Sequence, residues 1–112
     1  MTSQGSAHGR FQRAILRGHL FHAEIAAREM GGLSLFDALD LCRLIAEQSP
    51  ERFERAALRW HGRLELEAET LTLAEAQLAL AALAQLPTDA ELVAVLQRLL
   101  RSAKPRLVRP IP

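Results

Sequence analysis

Two histidines stand at a spacing that could hold a metal ion. His19 and His22 are three positions apart, so on a helix their rings share one face. A zinc site takes three or four protein ligands, however, and the other candidates, Glu29, Cys42 and His61, fall on separate predicted helices with no paired spacing. His22 also lies in an apolar stripe, where a histidine buried for packing is the commoner case. We therefore predict no metal site.

The single cysteine, Cys42, is a candidate nucleophile. It lies in the middle of a predicted helix, on the buried stripe, without a helix N-terminus or a cationic neighbour that would lower its pKa. We therefore assign it to packing. The sequence shows no glycine-rich phosphate loop, paired acidic site or Ser/His/Asp arrangement. These observations predict a protein that is not an enzyme, with no catalytic residue, no cofactor and no small-molecule substrate.

Four arginines recur every three or four positions along the predicted third helix, which places them on one face. They are Arg52, Arg55, Arg59 and Arg63. Such a stripe can track phosphate groups or fit the acidic groove of a partner protein. Alternatively, because Glu51, Glu54 and Glu65 gather on the opposite flank of the core stripe of this helix, the arginines form an ordinary solvated face with ion pairs.

Two features argue against DNA as the first choice of ligand for this stripe. A recognition helix beginning Pro50–Glu54 (PERFE) would direct two carboxylates toward the DNA, where lysine, asparagine or glutamine is expected. The formal net charge is only +1, whereas a dedicated nucleic-acid binder usually carries a larger positive excess. A small DNA-binding regulator that uses the arginine stripe is therefore the alternative function.

The composition indicates a single all-α domain. The chain has 112 residues, of which 49% are hydrophobic, and alanine and leucine make up most of those. Both favour helix, whereas the aromatic residues that favour strands amount to 4%. A single cysteine, and an N-terminus without the basic and apolar regions of a secretory signal, suit the cytoplasm. The most apolar run, Leu78–Leu86, is far short of the ~20 residues that span a membrane.

Helix starts are clearly marked along the chain. The segments Leu33–Ala38 (LSLFDA) and Leu71–Ala76 (LTLAEA) each place a hydroxyl residue at a helix N-cap and a carboxylate three positions later. Thr88 and the pair Ser49–Pro50 mark two further starts. The predicted helices are 10–30, 35 to about 48, 50 to about 68, 73–86 and 89 to about 103.

The two similar segments lie 38 residues apart, and each opens a helix that a second capped helix follows. This order predicts two antiparallel α-hairpins plus a leading helix, packed as a compact bundle of five helices with the fourth at its centre and Trp60 at least half buried. The hairpins are either an internal duplication, like a pair of tetratricopeptide or HEAT units, or independent helix starts that converged on one capping pattern. We expect residues 1–9 to be a disordered tail, 10–103 the single domain and 104–112 a basic, proline-rich tail.

The first predicted helix is apolar on two sides, which indicates a partner contact on one of them. Its second stripe consists of Leu16, Leu20, Ala23, Ala27 and Met30. Phe36 is a further candidate contact, because it falls outside the buried stripe of its own helix. A symmetric homodimer that buries the side around Leu16 and Leu20 is the simplest arrangement, and a different protein partner would serve equally. We therefore predict a small non-enzymatic protein–protein interaction module, an adaptor or a regulator.

Two segments in the middle of the chain, Phe53–His61 (FERAALRWH) and Leu71–Leu80 (LTLAEAQLAL), resemble short, uncharacterised helical proteins of high-GC bacteria. The resemblance covers roughly the middle third of the chain. It implies a bacterial cytosolic protein of an accessory type, and it brings no activity, cofactor or site residue with it.

Overall fold

Helices dominate residues 5–103, the part of the chain that the computed structural model describes, and no strand forms there. Six α-helices and one short 3₁₀ helix form there, which confirms the all-α prediction. They are α1 (Ala7–Arg17), α2 (Leu20–Met30), α3 (Leu35–Gln48), the 3₁₀ helix (Pro50–Arg52), α4 (Phe53–Glu67), α5 (Leu73–Gln85) and α6 (Leu92–Ala103). The predicted tail 104–112 lies outside the described residues. Among these helices, none is both long enough and apolar enough to cross a membrane.

The predicted first helix, 10–30, is in fact two helices, so the count of five is wrong. Gly18 has a φ of +71°, in the left-handed region that glycine enters without the steric cost of a Cβ atom. Its N–H donates to the carbonyl oxygens of Ala14 and Ile15, which ends α1. The Nε2 of Gln48 donates to the carbonyl oxygen of Gly18 at 2.5 Å and so ties the break to the end of α3. α1 and α2 pack against each other instead of forming one rod.

α1 also begins earlier than the sequence predicts. The hydroxyl of Ser6 accepts a hydrogen bond from the N–H of Gly9 at 3.0 Å, so Ser6 is the N-cap and Ala7 is the first helical residue. Residues 7–9, which we expected in the disordered tail, are therefore helical, because a serine cap ahead of them satisfies the first turn. Residues 1–4 lie outside the described part of the chain.

The two similar segments form helix caps as predicted. The Ser34 hydroxyl accepts from the N–H of Asp37 at 3.0 Å, and the Thr72 hydroxyl accepts from the N–H of Glu75 at 3.1 Å. Only the second becomes a complete capping box, since the Glu75 carboxylate accepts in return from the N–H of Thr72 at 2.9 Å. These bonds are local in sequence, which is why α3 and α5 begin where the sequence predicts.

The start predicted at Thr88 is wrong. The hydroxyl of Thr88 donates back to the carbonyl oxygen of Gln85 at 3.1 Å and so helps to end α5. The carboxylate of Asp89 accepts from the N–H of Glu91 at 3.1 Å, which forms a turn before the helix, and α6 begins only at Leu92. Both side chains therefore form hydrogen bonds with the backbone. Their partners lie at the end of α5 and in the connecting turn, and not in the first turn of α6.

Trp60 lies at the centre of the α4 core stripe. Its side chain is 2% exposed, and its indole Nε1 donates to the carbonyl oxygen of Leu35 at 2.9 Å. This bond joins the middle of α4 to the first turn of α3. The other predicted members of the stripe, Phe53, Ala57 and Leu64, are buried as well. The predictions for Trp60 and for the buried face of this helix are therefore confirmed.

The central helix is α3 rather than the fourth predicted helix, which is α5. Within residues 5–103, α3 packs against α1, α2, α4 and α6, whereas α5 packs only against α4 and α6. The buried side of α5 consists of small residues with few large ones: Ala76, Ala79, Ala82, Leu83 and, just beyond the helix, Leu86. Its opposite side faces solvent and includes Leu73 and Leu80, which are 77% and 45% exposed. When a helix is apolar on all sides, its sequence does not indicate which side is buried.

Replacing Leu80 with alanine is therefore expected to lower the free energy of unfolding by less than about 1 kcal/mol, because the side chain is already half in water. The matched change Leu83→Ala removes a side chain that is 2% exposed and is expected to cost about 2–5 kcal/mol. Urea unfolding followed by circular dichroism measures both. Equal losses for the two variants would show that both sides of α5 are covered.

Candidate functional site

An open groove lies between α3 and α4 and reaches α2. Its volume is about 690 Å³. The four arginines of the predicted stripe all line it: Arg52, Arg55, Arg59 and Arg63. Most of the remaining lining is apolar and comes from both of its walls: Leu33, Ala38, Leu41, Cys42, Ile45, Ala56 and Trp60. We call this feature the arginine groove, and it combines a rim of guanidinium groups with an apolar floor.

An ion pair closes one end of the arginine groove. The guanidinium of Arg52 donates through both terminal nitrogens to the carboxylate of Glu24 on α2, in the bidentate geometry that suits this pair. This hydrogen bonding is the main reason why the pKa of Arg52 is raised above its ordinary value. The neighbouring Glu51 accepts a hydrogen bond from the hydroxyl of Ser49 at 2.6 Å, which lowers the pKa of the Glu51 carboxyl.

Arg63 is engaged at the other end of the groove. Its Nε lies 2.7 Å from the carboxylate of Glu67, one turn further along α4. Its Nη2 donates to the carbonyl oxygen of Leu33 at 2.7 Å, which ties α4 to the segment that precedes α3. The solvated-face interpretation of the arginine stripe therefore holds for its two outer members, which stabilise the walls of the groove.

The two middle arginines are different. Arg55 and Arg59 are exposed, and neither guanidinium group forms an ion pair or a side-chain hydrogen bond within residues 5–103. They stand one helical turn apart on the rim. The two carboxylates that line the groove, Glu24 and Glu51, both lie at the end near Arg52. The middle of the arginine groove therefore carries two positive charges that no described side chain neutralises.

Cys42 lies on the floor of the groove and is 5% exposed. Burial raises the pKa of the Cys42 thiol to about 11, so the thiol stays protonated at neutral pH. Its sulfur lies 3.8 Å from the carbonyl oxygen of Ala56 on α4. These contacts match the packing role that the sequence predicts for Cys42.

The histidines do not converge. The rings of His19 and His22 meet edge to face with their centroids 5.6 Å apart, at the break between α1 and α2. His22 is exposed, so its predicted burial in an apolar stripe is wrong. His61 lies elsewhere, with its Nε2 2.8 Å from the carbonyl oxygen of Ala76 on α5. Within residues 5–103, no group of three or more histidine, cysteine, aspartate and glutamate side chains is arranged to hold a metal ion.

The predicted partner stripe on the first helix is not a continuous exposed surface. Leu20 and Ala23 lie in the core, and Ala27 and Met30 pack partly buried against it. Leu16 alone stands out, at 86% exposed. The stripe is discontinuous because the left-handed Gly18 breaks the helix between Leu16 and Leu20, so the two leucines no longer share a face. Phe36, the other predicted contact, also packs partly buried against the core.

A surface that sequence reasoning missed lies on the solvent side of α5. Its exposed residues are Leu73, Ala74, Gln77, Leu78, Leu80, Ala81, Ala84 and Gln85, and we call this set the α5 face. No member of the α5 face is charged, because the only charged residue of α5, Glu75, is used in the cap. The only sequence feature that indicates this surface is the run of uncharged residues from 76 to 85. A fully buried helix has the same feature, so the run alone does not predict an exposed face.

Neither protein-family models, nor curated proteins, nor solved structures show a significant match to this chain.

Proposed function

We propose that this chain is a non-enzymatic protein–protein interaction module, an adaptor or a regulator that acts through its helix surfaces. The α5 face carries this proposal. Charged and polar residues normally cover the solvent side of a surface helix, and monomers rarely expose large contiguous apolar patches. Three leucines of α5 are between 45% and 77% exposed, and the α5 face to which they belong contains no charged residue, which supports a surface that contacts another protein.

The neighbouring helix α4 also has exposed leucines. Leu58 and Leu66 are more than half exposed on α4, and with Gly62 they recur every four positions, so they share one side of that helix. α4 packs against α5. We also propose that α3–α4 and α5–α6 are two antiparallel hairpins that present these surfaces, since consecutive helices pack together in both pairs.

The buried, protonated Cys42 serves packing rather than catalysis, which supports a non-enzymatic role. A chain with one buried thiol and no second cysteine suits a reducing compartment, so we propose a cytoplasmic location.

The experiment that tests this function places a photo-crosslinker on the α5 face of the full chain in the cells that make it. Leu73→p-benzoylphenylalanine and Leu80→p-benzoylphenylalanine are expected to give discrete adducts of defined mass on irradiation. The matched control is Gln12→p-benzoylphenylalanine, which is exposed on α1, a helix that does not contact α5. We expect no such adduct there.

The mass of the adduct separates two kinds of partner. An adduct at twice the mass of the chain identifies a homodimer, and any other discrete mass identifies a different protein. Both results support the proposal. Irradiation that gives no adduct from either α5 position, or the same adducts from Gln12, contradicts it.

A further inference from the structure

The arginine groove follows α4 over a length that a short helix could match. Its arginines run over eleven positions, from Arg52 at the end of the 3₁₀ helix to Arg63 on α4, which corresponds to about 16 Å or three helical turns. α3 and α4 flank it, and its apolar lining includes Leu41, which is partly exposed, and Ile45 and Trp60, which are buried beneath it. An open trough with an apolar floor is the geometry by which helical bundles bind the apolar face of an amphipathic helix.

The charges of the groove specify the occupant further. Arg52 and Arg63 are held by Glu24, Glu67 and the Leu33 carbonyl, so their positions are set before any partner arrives. The exposed guanidinium groups of the two middle arginines stand one turn apart and remain without a described counter-charge. A helix with two carboxylates one turn apart, beside a row of leucine-like side chains, satisfies both the rim and the floor.

We propose that the arginine groove binds an acidic amphipathic helix of a partner protein. This inference rests on the proposed interaction function and adds to it a second surface, with the chemistry of its occupant. Duplex DNA fits less well, because the arginines line a concave surface that also contains two carboxylates, whereas a recognition helix must protrude into the major groove. The α5 face is uncharged and does not select for acidic partners, so the two surfaces are separable.

The test starts from a displayed library of random 16-residue peptides, selected on the full chain. We expect the enriched peptides to combine apolar residues at helical spacing with aspartate or glutamate one turn apart. Binding of one enriched synthetic peptide is then followed through the fluorescence of Trp60, the only tryptophan of the chain, which lines the groove. A selection that enriches nothing, or only peptides without acidic residues, overturns the inference.

Charge reversal locates the binding site. The double variant Arg55→Glu, Arg59→Glu is expected to weaken binding of the peptide at least 10-fold. It is also expected to bind better than wild type to a version of the peptide with lysine in place of its acidic residues. The matched control is Arg98→Glu, Arg101→Glu, the same charge change at two exposed positions on α6, and it is expected to retain binding within about twofold of wild type. Equal binding by wild type and the Arg55/Arg59 variant overturns the inference.

The same arginine variants distinguish two other ligands of the groove, duplex DNA and a second copy of the chain. Tight binding of a random 20-base-pair duplex that falls steeply with salt, and that the Arg55/Arg59 reversal abolishes, would assign the groove to nucleic acid instead. Self-association of wild type that the reversal abolishes would assign it to a second copy. The photo-crosslinks from the α5 face report on the interaction function without the groove, so their presence alongside a failed peptide selection rejects the groove alone.

Discussion

Leu20→Glu is expected to unfold the protein, whereas Leu16→Glu is expected to leave its stability within about 0.5 kcal/mol of wild type. The first variant removes a leucine that is 8% exposed and places a carboxylate in the core. Loss of the leucine contacts and burial of the charge together are expected to cost more than about 4 kcal/mol, a large part of the stability of a small domain. Leu16 is 86% exposed, so its replacement changes few contacts.

Urea unfolding and near-ultraviolet circular dichroism of both variants measure this contrast. The two leucines are four positions apart and would share one side of an unbroken helix, so they would then respond alike. A folded, soluble Leu20→Glu protein would mean that the helix continues through Gly18 and that this stripe lies on the surface. The opposite outcomes for the two variants therefore test the helix break itself.

Trp60→Ala is expected to cost about 3–5 kcal/mol, the second large effect. The change leaves a cavity between α3 and α4 and removes the donor that the Leu35 carbonyl oxygen accepts from. Trp60→Phe keeps most of the ring volume and loses the indole N–H, so it is expected to cost about 1–3 kcal/mol. The difference between the two variants separates the packing of the ring from its hydrogen bond.

Chemical unfolding of both variants, followed by far-ultraviolet circular dichroism, gives these numbers. Leu58→Ala is the matched control, because Leu58 lies on the same helix and is more than half exposed, and we expect a loss below about 1 kcal/mol. A Trp60→Ala protein with the stability of the Leu58→Ala protein would contradict the buried position of the indole. It would also mean that the Trp60 indole does not lie beneath the arginine groove, where an apolar helix face is proposed to bind.

Local interactions along the chain determined the all-α class and most of the helix starts. Ser34 and Thr72 cap helices through bonds to residues three positions later, so the sequence alone contains both partners. The buried face of α4 was likewise predictable, since Phe53 and Trp60 are large apolar residues at helical spacing with charged residues around them. The burial of Cys42 follows from the same periodicity on α3.

The candidate site could be predicted only in part. Periodicity places the four arginines on one side of α4, and the structure brings all of them to one groove. Which of them are engaged depends on partners far away in sequence: Glu24 is 28 positions from Arg52, and Leu33 is 30 positions from Arg63. The charge that remains on Arg55 and Arg59 therefore depends on how α2 and α3 pack against α4, and no local pattern contains that information.

Tertiary packing also decided the helix break and the outward face of α5. Glycine permits a left-handed residue at position 18 but does not require one, and the apolar spacing continues through it. The hydrogen bond from Gln48 and the packing of α1 on α2 stabilise the broken form. On α5, the uniformly apolar sequence does not indicate which side is buried. The side rich in alanine packs against α4 and α6, because small side chains allow helices to approach closely. Sequence specifies a helix through contacts between near neighbours, whereas its partners and its exposed side follow from contacts between residues far apart in the chain.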